Sequence, residues 1–268
     1  LKKALQILNI LSVLIAIWTS YYVNAQEDGS SMKDISGKYD NLLTPAGYAF
    51  SIWGLVYLGL ILFSIYQLAD FFTKKINTDF VKEIAGWFIL ANLANAGWVI
   101  AFTNDYVGLS MIIMCLIFFA LLKIVLNLNL ERWDAPFITI AMIWWPVSLY
   151  FGWINVALIA NASAYLTSVG WNGSPLSAKF WAYIVLTIAA TIFILMIWKR
   201  NMREYATVGV WGIVAIGVKN LSVNNSVAYF AFCVAAVIFL NTAAHGYKNR
   251  AMGPIRRFRP ITRNGETA

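Results

Sequence analysis

The residues that build metal and redox centres are scarce in this sequence. It holds one histidine and two cysteines, with no CxxC or HExxH spacing. Cys115 and Cys233 both sit inside apolar runs and read as small membrane hydrophobes, not as a disulfide. Charge is scarce: Asp, Glu, Lys and Arg make up 12% of the 268 residues, about half the share of an ordinary soluble domain, roughly 25%. There is no Walker loop, no pair of carboxylates placed for acid–base hydrolysis and no Ser-His arrangement. Above all, the centres of the apolar runs contain no Asp, Glu, Lys, Arg or His. Such residues mark proton relays, ion paths and counter-ions. Asp70, Asp105, Glu204 and His245 fall at run ends, and Lys219 ends the seventh run beside Asn220. These absences weigh against an ordinary soluble enzyme, an ATPase, a proton-coupled transporter and a retinal-type photoreceptor.

Hydrophobicity is what the chain has: 60% of residues are apolar and mean hydropathy is +0.68. Eight stretches approach the length of about 20 residues that a bilayer span requires: 4–25, 46–69, 81–103, 107–129, 136–162, 177–198, 203–219 and 225–246, the seventh being the shortest. Strand-like alternation does not persist, so the expected fold class is all-α, a polytopic membrane helix bundle of about eight transmembrane helices. Lys2-Lys3 followed by an apolar run is read as a retained first helix in preference to a cleaved leader. With the N-terminus set in the cytoplasm, fifteen Lys and Arg fall on the cytoplasmic side and four on the other. Both termini are then expected to be cytoplasmic. The net charge of +8 and the basic tail after His245 read as topology anchors near anionic lipid, with no nucleic-acid partner.

Aromatic residues supply 16% of the chain, including 12 Trp. Trp18, Trp133, Trp171 and Trp198 fall near run ends and fit interfacial belts. Others lie inside the runs at helical spacing. Phe50, Trp53 and Tyr57 are separated by three and four residues, as are Ala91, Asn95 and Trp98 in reverse order. Tyr150, Trp153, Ala157 and Asn161 follow three, four and four, and Asn92 and Asn155 add amides nearby. Three helices can therefore each turn an aromatic or amide stripe inward. The stripes could interlock helices or could line a site for a large flat apolar ligand, and periodicity does not separate the two.

The segments that carry these stripes resemble the TspO/MBR family, the tryptophan-rich sensory or translocator proteins. Pro45, Gly47, Tyr48, Phe50, Trp53 and Tyr57 match its Pro-x-Gly-aromatic-x-Phe-x-x-Trp-x-x-x-Tyr signature. Asn95 and Trp98 match its third-helix stretch, and Tyr150, Trp153, Ala157 and Asn161 its fifth-helix stretch. The resemblance implies a five-helix core over residues 1–165, with a pocket opening near the loop between the first two helices. It implies porphyrin ligands such as haem or protoporphyrin, cholesterol in eukaryotic members, and a homodimer. It makes Trp53 and Trp153 the pocket tryptophans, sets small Ala157 against the ligand, and has Asn92 and Asn95 face or brace the cavity. Two positions depart from the family pattern: Tyr48 stands where many members have Trp, and Ala46 replaces a second Pro. Residues 166–268 add about three spans and a basic tail that the five-helix family lacks.

The expected function is a membrane binding protein or sensor for a porphyrin-like or other flat hydrophobic ligand, a tetrapyrrole or a sterol. The alternatives are a secondary transporter of a small apolar solute and a light-dependent porphyrin-degrading enzyme. No cofactor is expected to be required, bound porphyrin, haem or lipid being the candidates. Lipid and a hydrophobic small molecule are the expected partners, and a bacterial inner membrane the expected location.

Overall fold

The computed structural model describes residues 1–25, 31–72, 78–133 and 135–250. Lys74, Lys75 and the basic tail beyond Arg250 lie outside the described residues. Nine helices and no strand occur among the described residues: α1 (Lys2–Asn24), α2 (Met32–Lys38), α3 (Ile52–Leu68, entered through a 3-10 turn at Gly47–Ser51), α4 (Phe80–Thr103), α5 (Val107–Asn127), α6 (Phe137–Ser168), α7 (Ala178–Arg200), α8 (Arg203–Asn220) and α9 (Asn225–Lys248). All but α2 and α8 are long and apolar enough to cross a membrane. At a rise of about 1.5 Å per residue, α8 still covers about 27 Å, close to the hydrocarbon thickness. It carries Arg203 and Glu204 at one end and Lys219 at the other. The chain is an integral membrane helix bundle.

Local chemistry sets several boundaries. Ser31 and Asp34 form a reciprocal capping box at the start of α2. The side chains of Ser177 and Asn224 accept the N–H groups of Phe180 and Val227, opening α7 and α9. Asn201 ends α7 in the left-handed conformation, with Lys199 and Arg200 in the last turn. Inside α6, residues Ile140–Trp144 widen into a π turn just before Pro146. Proline lacks an N–H and its ring crowds the carbonyl four residues back, which a wider turn relieves.

Five helices close a ring. α1 packs on α3 and α4, α4 on α5, α5 on α6, and α6 on α3. The interior is filled by aromatic side chains, among them Phe63 and Phe88, stacked at 4.5 Å. Gly59 of α3 lets the backbone of Pro146 come close at the α3–α6 crossing. The polar residues of α1 turn inward and find partners: Asn9 Nδ2 donates to Gln67 Oε1 at 2.8 Å, and Ser12 Oγ accepts Asn92 Nδ2 at 3.2 Å. Pairing such groups offsets the cost of burying them away from water.

The remaining three helices attach through α8, which packs on α6, α7 and α9. At each contact a glycine of α8 admits a side chain of its neighbour. A Cβ on Gly209 would lie 2.5 Å from the ring of Phe193 on α7, one on Gly217 would lie 2.6 Å from Phe232 on α9, and one on Gly212 would strike Val156 on α6. Small residues at helix interfaces let backbones approach in the absence of a hydrophobic driving force. Gly152 of α6 reciprocates: a Cβ there would lie 2.7 Å from the backbone oxygen of Tyr205.

Polar groups gather at the end of the bundle that holds Lys2 and Lys248, here called the basic end. Asn201 Nδ2 donates to the backbone carbonyl of Glu131 at 2.7 Å, and Arg200 reaches the carbonyl of Val125. In the α5–α6 loop, burial pushes the Glu131 carboxyl up to about 8, the Glu204 carboxylate adding to the effect and Arg203 opposing it. The folded chain thus holds a proton on Glu131 that the unfolded chain releases near its ordinary carboxyl value.

Two outcomes are expected. Gly152→Ala should lower stability by about 1–3 kcal/mol, because a backbone oxygen cannot yield; thermal unfolding in detergent measures it. Stability should also fall as pH rises between the ordinary carboxyl range and about 8, because the unfolded chain releases the Glu131 proton there while the folded chain still holds it. Glu131→Gln should flatten that slope in melts taken across the same window.

Candidate functional site

Trp53 stands at the centre of the ring. Its indole lies 5.3 Å from Tyr57, 6.0 Å from Trp98, 6.0 Å from Tyr150 and 6.4 Å from Trp153, centroid to centroid. Phe50 meets Trp153 edge-on at 6.2 Å, and Phe102 stacks on Trp98 at 5.4 Å. Helix periodicity explains the convergence: each stripe repeats every three or four residues and faces the axis of the ring. Trp53, Trp98, Tyr150 and Trp153 are all buried.

The amides divide into two sets. Asn161 is fully engaged: its Oδ1 accepts the Trp98 indole N–H at 2.7 Å, and its Nδ2 donates to Ser110 Oγ at 2.9 Å. That chain joins α4, α6 and α5. Tyr150 is likewise fixed, its hydroxyl donating to the Ala91 carbonyl at 3.2 Å. Asn95 accepts the Tyr57 hydroxyl at 3.2 Å, yet its Nδ2 is buried without a partner. The indole N–H groups of Trp53 and Trp153 are also buried and unpartnered. Asn92 turns toward Ser12 on α1 and leaves its Oδ1 unpaired. Buried donors are almost always paired, and leaving one unmade costs about 1–3 kcal/mol. Three such donors lie on adjoining residues of α3, α4 and α6.

Beside the cluster lies a cavity of about 20 Å³, bordered by Phe50, Trp98, Phe102, Trp153, Ala157 and Asn161 and roofed by Ser36 and Pro45. It has room for about one water. The aromatic rings therefore close on one another in this state. No charged side chain borders the cavity. Ala157, one turn from Trp153, leaves its floor open where a larger side chain would fill it.

The roof is the segment from α2 to the 3-10 turn, and it is held on two sides. Lys38 pairs with Asp105 in the α4–α5 turn. The hydrogen bond between them holds the Asp105 carboxyl below the usual carboxylate range and raises Lys38. On the other side, α8 supplies the contacts. Lys219 lies 3.0 Å from Asp40, Asn220 Nδ2 donates to the Leu42 carbonyl at 3.0 Å, and the Ala46 N–H donates to the Ala215 carbonyl at 3.0 Å. Trp211 Nε1 donates to the Ala49 carbonyl at 3.2 Å, and its ring meets Tyr48 edge-on at 5.2 Å.

The structure thus draws Phe50, Trp53, Tyr57, Asn95, Trp98, Tyr150, Trp153, Ala157 and Asn161 together and sets Asn92 behind them toward α1. The sequence reading missed Ser110, a lone hydroxyl on an otherwise apolar face of α5, and Phe102, one turn beyond Trp98. It also missed α8 as the support of the roof. Trp18, Trp133, Trp171 and Trp198 are exposed, as belt residues should be.

A polytopic helix bundle with a roofed, tryptophan-lined interior defines a class of membrane protein built around an uncharged pocket. The family model described as TSPO-like protein matches residues 6–244, and the chain belongs to that family. The match runs on through α7 and α8 and most of α9. No curated protein and no solved structure gives a match to the chain.

Removing the Asn161 side chain strands the Trp98 indole in a dry interior. Asn161→Ala should cost about 1–3 kcal/mol, seen as a lower unfolding midpoint in detergent.

Proposed function

We propose that the chain is a membrane binding protein, a sensor or receptor for a flat hydrophobic ligand that carries hydrogen-bond acceptors, a tetrapyrrole or a sterol-like molecule. The observation that carries this reading is the set of unpartnered donors on Trp53, Trp153 and Asn95, surrounded by aromatic rings. Packing alone accounts for the rings, since aromatic faces and edges fit one another. Packing gives no reason to bury three donors and leave each unmade.

In this reading the ligand enters between Trp53, Trp98 and Trp153 and offers carbonyl, carboxyl or hydroxyl oxygens to the waiting N–H groups. The cavity of about 20 Å³ is far below the several hundred cubic ångström usual for such ligands. Binding must therefore lift the roof and part the rings. The ion pairs Lys38–Asp105 and Asp40–Lys219 act as latches on that movement. The positive-inside rule sets the basic end in the cytoplasm, so the roof faces the opposite compartment, and a bacterial inner membrane is the proposed setting.

The test is a titration of the detergent-solubilised chain with protoporphyrin IX, followed by tryptophan quenching. Saturable quenching is expected. Trp53→Phe and Trp153→Phe should each weaken binding about five- to tenfold, the worth of one hydrogen bond at about 1 kcal/mol or somewhat more. Neither variant discards a bond that the free protein makes, so stability should change far less than affinity. Trp198→Phe, at the periphery, should bind as the parent does, and Lys219→Ala should speed association. Quenching that rises without saturation, or that ignores both pocket variants, overturns the reading.

A further inference from the structure

A larger cavity lies outside the ring. A cleft of about 820 Å³ separates α7 from α5 and α6 near the roof end of the bundle. It exists because α7 packs on α8 and α9 instead of on α6. Small residues face one another across it, Ala162 on α6 and Ala178 and Ala182 on α7.

The lining is polarised. Asn41, Ser163, Thr167 and Asn172 all lie at the roof end, where Ser163 Oγ donates to Asn41 Oδ1 at 2.9 Å. The rest is apolar, with Leu158 and Val185 farthest from the rim. No charged side chain lines the cleft. Trp171 stands at its mouth, 5.4 Å from Trp181, and Trp181 Nε1 donates to the Gly173 carbonyl at 2.7 Å, pinning the α6–α7 loop that closes the top. Indoles at such a level mark the membrane interface.

Depth identifies the occupant. Leu158 lies ten residues from the roof end of α6, at Ser168, which is about 15 Å at the helical rise. One leaflet of a hydrocarbon core about 30 Å thick is of the same depth. The uncharged polar rim sits where the ester carbonyls of a lipid lie. It offers the Asn41 and Asn172 amides, the Ser163 and Thr167 hydroxyls being engaged with Asn41 Oδ1 and the Ser163 carbonyl, and no cation to hold a free carboxylate.

We propose that this cleft is a binding site for one glycerophospholipid of the roof-side leaflet, with an acyl chain between α6 and α7 and its ester groups at the Asn41–Asn172 rim. A chain that leaves bilayer for cleft gains little hydrophobic free energy, because the bilayer is equally apolar. Shape and the rim contacts hold it, so filling the space removes the site. Asn41, Leu42 and Leu43 belong both to this wall and to the segment that roofs the ring.

The experiment uses the delipidated full chain in detergent, titrated with phosphatidylethanolamine carrying a 6,7-dibromostearoyl chain, whose bromines quench nearby indoles. Quenching should be partial and saturate near one lipid per chain. Ala162→Phe and Val185→Phe, both at half-buried positions of the wall, should each raise the half-saturation concentration at least fivefold, with helix content retained. Free 6,7-dibromostearic acid should bind more weakly than the phospholipid. Protoporphyrin titration of the same variants separates this site from the ring pocket. Quenching that merely tracks the mole fraction of brominated lipid in the micelle overturns the proposal. So does parental behaviour in both filled variants, or tighter binding of the free acid.

Discussion

The hydrogen bond from the Trp98 indole to Asn161 fixes the geometry on which the interior depends. It crosses from α4 to α6, and Asn161 passes the connection on to Ser110 of α5. In a medium without water, a polar contact of this kind has no competitor. It sets the rotation of both helices, and so the direction in which Tyr150, Trp153 and Asn95 point. With Trp98 committed to Asn161, the indoles of Trp53 and Trp153 are left to look elsewhere. The ring thus holds both satisfied polar groups, which cross-link its helices, and unsatisfied ones at its centre.

The three additional helices are tied to that interior through α8. The two positions where the signature departs from the resembling family both lie against it. The N–H of Ala46 donates to the Ala215 carbonyl, a bond that proline at this position could not make. Tyr48 leans away from the pocket onto Trp211. The roof segment and α8 are therefore fitted to one another at these two positions. The glycines of α8 perform the corresponding adaptation from the other side, admitting Val156, Phe193 and Phe232 at distances that any side chain would prevent.

Much of this was legible in the sequence. Eight apolar runs became eight long helices, and the stripes on the second, third and fifth runs met because helical spacing leaves them few other directions. What the sequence withheld lies in relations between helices. The spacing of Gly209, Gly212 and Gly217 does not announce three different partners. Nor does it say that the least hydrophobic of the long helices, with charged residues at both ends, would be the one that ties α7 and α9 to the ring. Whether aromatic rings enclose a hollow or fill it depends on rotamers and on fractions of an ångström, and here they fill it. The outer cleft arises from a gap between α7 and its neighbours, and a gap has no residues of its own to be read.

The roof latches have an environmental side. Lys219 and Asp40 are each about a third or more exposed, as are Lys38 and Asp105. Attraction between charges so open to water is screened by dissolved ions within about ten ångström at ordinary salt. The dry interior of the ring feels none of that screening. Brackish or dilute surroundings on that face thus retune how firmly the two ion pairs hold the roof, leaving the packed rings beneath it unaltered.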